Sequence, residues 1–185
     1  MILLLAAVLA GLAAGLLTGG SLRNLQAVRL RWEVALFALL VLQLLLPRLA
    51  GTFGWPGSVA LGVWLLAMAG LVVAALRNSR APGMVLAAVG VALNLMVIGL
   101  NLGMPVSERA IRFLAGSSEM TAEYDLVHRE LGGDTLLPWL ADVIPVPGPK
   151  GLRAVVSVGD LLLVSGVGWF LFRAVRGEVP DDDAG

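Results

Sequence analysis

Five apolar runs spaced along 185 residues restrict this chain to a small set of folds. They cover residues 2–17, 34–46, 58–76, 82–102 and 154–172. A helix that crosses a bilayer needs about 20 mostly apolar residues, with about 17 as a lower working limit. The second run falls short, so its flanks, from Trp32 and Glu33 before it to Trp55 after it, must supply the remaining length. Composition agrees, since 58% of the residues are apolar and 14% are charged, against about a quarter charged in a soluble domain. The expected fold is all-α: a polytopic membrane bundle of about five transmembrane helices, with a helical extracytoplasmic insert before the last one.

Basic residues orient such a bundle, because loops rich in Lys and Arg stay on the cytoplasmic side. Arg23, Arg29 and Arg31 follow the first run, Arg77 and Arg80 the third, and Arg173 and Arg176 the fifth. These places share one side if the N-terminus lies outside and the C-terminus in the cytoplasm. The first run has no basic residues ahead of it, so it reads as a retained helix rather than a cleaved leader. Gly11, Gly15 and Gly19 give it a face of small residues suited to close helix contact. Residues 1–176 then form one membrane domain, and residues 177–185 an acidic cytoplasmic tail expected to be disordered.

The insert spans about residues 103–153. Ser107 is placed to cap a helix beginning at Glu108, with Ile111, Phe113 and Leu114 against the membrane. Thr121 is placed to cap a second helix running through Leu131, ended by Gly132 and Gly133. The run TLLPWLADVIP reads as a short interfacial helix anchored by Trp139. Pro145, Pro147 and Pro149 then force an extended connection into the last span.

The chain has no Cys and a single His, His128, so thiolate chemistry and a His-rich metal cage are excluded; neither a cofactor nor a metal is expected. His128 reads as a solvated surface residue. A zero formal net charge gives no bulk attraction for nucleic acid. Chemistry therefore has to come from polar residues that the bilayer makes costly. Asp160 lies within the last apolar run, about six residues and 9 Å from its outer start at 1.5 Å per residue. A carboxylate at the centre of a span costs about 2.5–3.5 kcal/mol on insertion scales. Asp142 lies eighteen positions earlier (160 − 142), and the two meet if the insert folds back onto the outer end of the bundle. Two acids in one site do not both ionise, and one protonated and one ionised carboxyl can together activate water. Asp142 and Asp160 are thus the catalytic candidates. Asn94 and Asn101, seven apart on one helix face, join Gly103 and Ser157 as candidate substrate- or lipid-binding residues. Asn94 also suits a plain hydrogen bond to a neighbouring helix.

Three segments, LNLMVIGLNLGMPVS, TLLPWLADVIPVP and VVSVGDLLLVSGVGWFLF, resemble an uncharacterised family of small bacterial multipass membrane proteins. That resemblance implies a membrane fold and a place in the bacterial cytoplasmic membrane, with no activity attached. Asn101-Leu-Gly103, the stretch 141–144 around Asp142, and the stretch 157–160 are also similar to three motifs of lipoprotein signal peptidase, a membrane aspartic protease. By that resemblance Asp142 and Asp160 would be the acid pair, with Asn101 and Ser157 lining the site. The chain departs from that family in lacking its Asn-x-x-Asp-Arg motif, and in carrying Ser157 where the last motif has Asn. Three expectations follow: a membrane hydrolase acting on a lipid-anchored or membrane-inserted peptide, a noncatalytic protein binding membrane lipids or a partner helix, and a small transporter using Asp160.

Overall fold

The computed structural model describes residues 2–115, 126–149 and 152–180. Five long helices stand side by side: α1 (Ile2–Leu17), α2 (Glu33–Phe53), α3 (Gly57–Arg77), α4 (Met84–Asn101) and, after the insert, α6 (Val158–Val175). Four of them, α2, α3, α4 and α6, are long and apolar enough to cross a membrane. Of the five expected spans, α1 falls short on length, with 16 residues or about 24 Å at 1.5 Å each. The second run takes its missing length from its flanks, as expected, and reaches 21 residues in α2. That helix continues through Pro47, which denies the Gln43 carbonyl its helical N–H partner. It stops at Gly54, whose left-handed backbone (φ 62°) turns its N–H back to the Ala50 and Gly51 carbonyls.

Neighbouring helices pack in the order α2, α3, α4, α6, α1. Small residues at seven-residue intervals build the seams. On α3 the buried positions are Ala60, Ala67 and Ala74 beside Leu61, Met68, Leu71 and Ala75. In lipid the tails are as apolar as Leu, so helices associate through close packing rather than by excluding water, and small side chains permit it. The tightest seam joins α4 and α6. A Cβ on Gly90 would lie 2.5 Å from the Gly159 carbonyl oxygen, and one on Gly166 would lie 2.5 Å from the Ala87 nitrogen. Since residues 83–90 meet 166–159 in reverse order, α4 and α6 are antiparallel. Gly11 meets Gly168 and Gly15 meets Phe172 and Val175, so α1 and α6 run parallel.

The basic loops gather at one end of the bundle. The Asn78 side chain accepts from the Arg31 amide (2.7 Å) and donates to its carbonyl (2.9 Å), and the Arg77 guanidinium lies 4.9 Å over the Trp32 ring. Asn24 donates to the Val175 carbonyl (2.8 Å), and Arg176 to that of Thr18 (3.2 Å). Glu178, expected in a disordered tail, pairs with Arg173 (2.7 Å) and Arg176 (2.6 Å); residues 181–185 lie outside the described residues.

The insert at the opposite end is not the helical unit expected. Among the described residues it holds α5 (Glu108–Ala115) and four short strands: β1 (Met104–Val106), β2 (His128–Glu130), β3 (Ile144–Val146) and β4 (Ala154–Val156). The Ser107 cap is present, its Oγ accepting from the Ala110 amide at 3.3 Å. Beneath α5, Ile111 and Leu114 are buried in the protein rather than laid on the membrane, while Phe113 is exposed. The expected helix from Thr121 to Leu131 does not extend over residues 128–130, which pair in parallel with β1; Thr121 itself lies outside the described residues. The expected helix in TLLPWLADVIP reduces to one 3-10 turn, Pro138–Leu140. Its continuation is blocked because β1 captures the Asp142 backbone, and Ile144–Val146 pairs antiparallel with β4. That same pairing takes residues 154–156 out of the last helix, which begins only at Val158.

Candidate functional site

Asp160 is therefore not six residues deep in a helix; it occupies the first turn of α6. Ser157 caps that helix. Its Oγ accepts from the Asp160 amide (2.9 Å), and the Asp160 Oδ2 accepts from the Ser157 amide (3.1 Å), a reciprocal box that satisfies two of the helix's free donors. Asn94 on α4 closes the ring. Its Nδ2 donates to Asp160 Oδ1 (2.7 Å), and its Oδ1 accepts from the Ser157 hydroxyl (2.9 Å). Gly159 makes room for this, since a Cβ there would run into the Asn94 amide oxygen and lie 2.8 Å from the Gly90 carbonyl. Asp160 thus has an N–H donor on each oxygen, as a carboxylate requires.

Asp142 arrives from the insert, held by its backbone. Its N–H donates to the Pro105 carbonyl (2.9 Å) and its carbonyl accepts from the Ser107 amide (2.9 Å), making a one-residue third strand on β1. Pro105 has no N–H with which to lengthen that pairing. On the other edge of β1, β2 pairs with Met104 opposite His128 and Val106 opposite Glu130. Val106 is also the partner of Asp142. Aligned residues of a parallel sheet point to the same face, so His128 and Asp142 share one.

The two candidate acids meet. The Asp142 carboxyl lies within hydrogen-bonding reach of that of Asp160. Burial away from water, then the charge and hydrogen bond of Asp160, push Asp142 from its ordinary value of 3.8 up to about 8. Its Oδ1 is buried with no N–H or hydroxyl donor, which fits a carboxyl that keeps its own proton. At neutral pH the arrangement keeps a proton on Asp142, against the Asp160 carboxyl. It can give a proton at one oxygen and take one at another, a few ångströms apart.

His128, read from the sequence as a solvated surface residue, is placed beside this pair, with Nε2 4.0 Å from Asp142 Oδ2. No sequence signal marked it, because a three-residue parallel strand joining positions 104 and 128 leaves no periodicity to detect.

Asn101 and Gly103 lie nearby with different duties. Both amide hydrogens of Asn101 are committed, to the Val97 (2.9 Å) and Leu136 (3.0 Å) carbonyls, and its Oδ1 accepts from the Leu136 amide (2.8 Å). It staples the 132–137 loop to the end of α4. Arg129 adds to the joint, donating to the Asn101 carbonyl (2.5 Å) and pairing with Asp134 (3.3 Å). Gly103 takes φ 152°, and a Cβ there would press on the Val127 carbonyl at 3.3 Å, so it turns the chain from α4 into β1. Ser157 and Asn94, by contrast, touch the acid pair directly through Asp160.

The apolar helices and the polar cluster at one end of them define a polytopic membrane protein. The chain belongs to the DUF5317 family, a family of unknown function whose profile matches residues 27–172. It is similar to an uncharacterised protein of the bacterium Thermotoga maritima, 35% identical over 100 residues, which are 54% of this chain and 55% of that protein. The chain thus spans about half the length of the curated relative it matches. No solved structure matches it.

Proposed function

We propose that this protein is a hydrolase of the aspartic type in the bacterial cytoplasmic membrane, acting on a peptide that is lipid-anchored or inserted in the outer leaflet. The observation that carries this reading is the placement of the buried Asp142 carboxyl beside that of Asp160, where burial and the neighbouring acid push it up to about 8. In such a pair the ionised acid draws a proton from water while the protonated one polarises the peptide carbonyl. The clustering of Arg31, Arg77 and Arg176 at the other end supports an orientation with the acid pair outside and the C-terminus in the cytoplasm. The likeness of residues 141–144 and 157–160 to membrane aspartic protease motifs supports the same chemistry.

The test uses the full chain in liposomes with a panel of fluorogenic lipid-anchored peptides. Cleavage by the wild type that is lost in both Asp142→Asn and Asp160→Asn, each still folded, supports the reading. Cleavage unaffected by either change, or none by the wild type across the panel, refutes it.

A second reading draws on the Ser157–Asp160 capping box and its Asn94 bridge. There the acids are a joint fastening the insert to the bundle, and the protein is noncatalytic, presenting its insert to lipid or a partner chain. Under that reading Asp142→Asn leaves every phenotype intact.

A further inference from the structure

The Asp142 end of the acid pair is closed to water, while Asp160 is half-buried. Asp142 is 6% exposed and Ser157 fully buried, so a proton held there needs a path outward. His128 occupies the place where such a path begins. Its side chain is 40% exposed while that of Asp142 is 8%, and its Nε2 stands 4.0 Å from the Asp142 Oδ2. A side-chain rotation or one water closes that gap to hydrogen-bonding distance, about 2.6–3.2 Å for a working proton transfer. The backbone fixes this placement, because β2 and the Asp142 bridge flank the same strand, and their register sets both side chains on one face.

Among the described residues, other charged groups are engaged elsewhere or lie farther along the strand. Arg129, the next residue on β2, points to the opposite face and is engaged by the Asn101 carbonyl and Asp134. Glu130 shares the face of His128 two residues along and is exposed. From β1 the residues facing the pair are Met104 and Val106, neither titratable; from α4 comes Asn94, and from α6 Asp160 itself. On α5, Glu108 and Arg112 pair with each other at 2.7 Å.

We infer that His128 is the group through which the Asp142–Asp160 pair exchanges its proton with water. The inference rests on the reading that this pair holds a single proton. The step moves one proton: the Asp142 O–H bond breaks, an N–H bond forms at Nε2, and neutral imidazole becomes imidazolium facing a carboxylate. The opposite ring nitrogen then releases a proton to solvent, and reloading runs the same sequence backwards. For a hydrolase this step resets the acid pair between turnovers, which makes His128 a proton carrier rather than a nucleophile.

A pH jump on the full chain in nanodiscs, followed by infrared absorption of the protonated carboxyl, tests this without any substrate. Asp142→Asn assigns the band by removing it. In His128→Gln the band should form about 100-fold more slowly, the low end of general acid–base contributions, and added imidazole should restore the rate. Glu130→Gln should leave the rate unchanged. Because the chain has one histidine, carbethoxylation of folded wild type makes the same test without a substitution, and hydroxylamine should reverse the effect. An unchanged rate in His128→Gln and after carbethoxylation overturns the role of His128 and leaves the acid pair standing. A band that persists in Asp142→Asn overturns the shared proton itself.

Discussion

Replacing Asp142 by Asn should stabilise the protein at neutral and alkaline pH while ending any acid chemistry at the site. The folded chain holds the Asp142 proton up to about pH 8, whereas the unfolded chain releases it near 3.8. Below pH 4 both states are protonated, and the stabilising contribution is fully present. Between 4 and 8 the unfolded state sheds a proton that the folded state keeps, so stability falls as pH rises. Above 8 both states are ionised and the loss is complete. A difference of 8 − 3.8 units at about 1.36 kcal/mol each amounts to roughly 6 kcal/mol across that window. Asn has no proton to lose, and its amide can donate to Asp160 where the carboxyl proton did. Unfolding curves of wild type and Asp142→Asn in nanodiscs at pH 4, 6 and 8 read the effect as a difference, in which other titrations cancel. The variant should gain on the wild type by several kcal/mol between pH 4 and 8. Parallel curves over that range refute the buried-proton account.

Three further perturbations probe the scaffold. Gly159→Ala should disrupt the crossing of α4 and α6, costing at least about 1–3 kcal/mol from overpacking, whereas Gly99→Ala, with nothing within 4 Å, should be neutral or mildly stabilising in thermal unfolding. Asn94→Ala removes the hydrogen bonds to Asp160 and from Ser157, for a loss of about 1–3 kcal/mol, and should broaden or shift the Asp142 carboxyl band. With no native Cys, single substitutions report orientation. An impermeant maleimide should label Gly133→Cys on intact cells, and Ser79→Cys only after permeabilisation; the reverse pattern overturns the proposed topology.

What the sequence discloses here depends on whether the responsible interaction is local. Apolar runs of span length are local, so the helices were legible, as was the Ser107 cap, which needs only its own three following residues. The run at 34–46 is bounded by Glu33 on one side and by Pro47 and Arg48 on the other, but intrahelical bonding starts α2 at Glu33 and carries it past Arg48 to Phe53. The insert departs from its local sequence pattern where partners are distant. Residues 128–130 and 144–146 became strands by pairing with 104–106 and 154–156, and such pairing overrides helical propensity in the stretch around Asp142. The same distance hid His128. Asp142 and Asp160 were legible for a different reason: carboxylates are scarce in such a chain, and each had to find company.

The parallel pairing of α1 with α6 has a consequence for how the protein is made. The helices α2, α3 and α4 can settle against one another as they leave the ribosome, each beside its predecessor. The first helix cannot. Its Gly11 and Gly15 await Gly168 and Phe172, and Asn24 awaits a carbonyl 151 residues later. The same late arrival, α6, brings Ser157 and Asp160 to Asn94. Until α6 emerges, α1 has no fixed place and Asn94 has no acid to hold. The helix α6 therefore both closes the assembly and completes the acid pair, so a chain cut short before it lacks the site entirely.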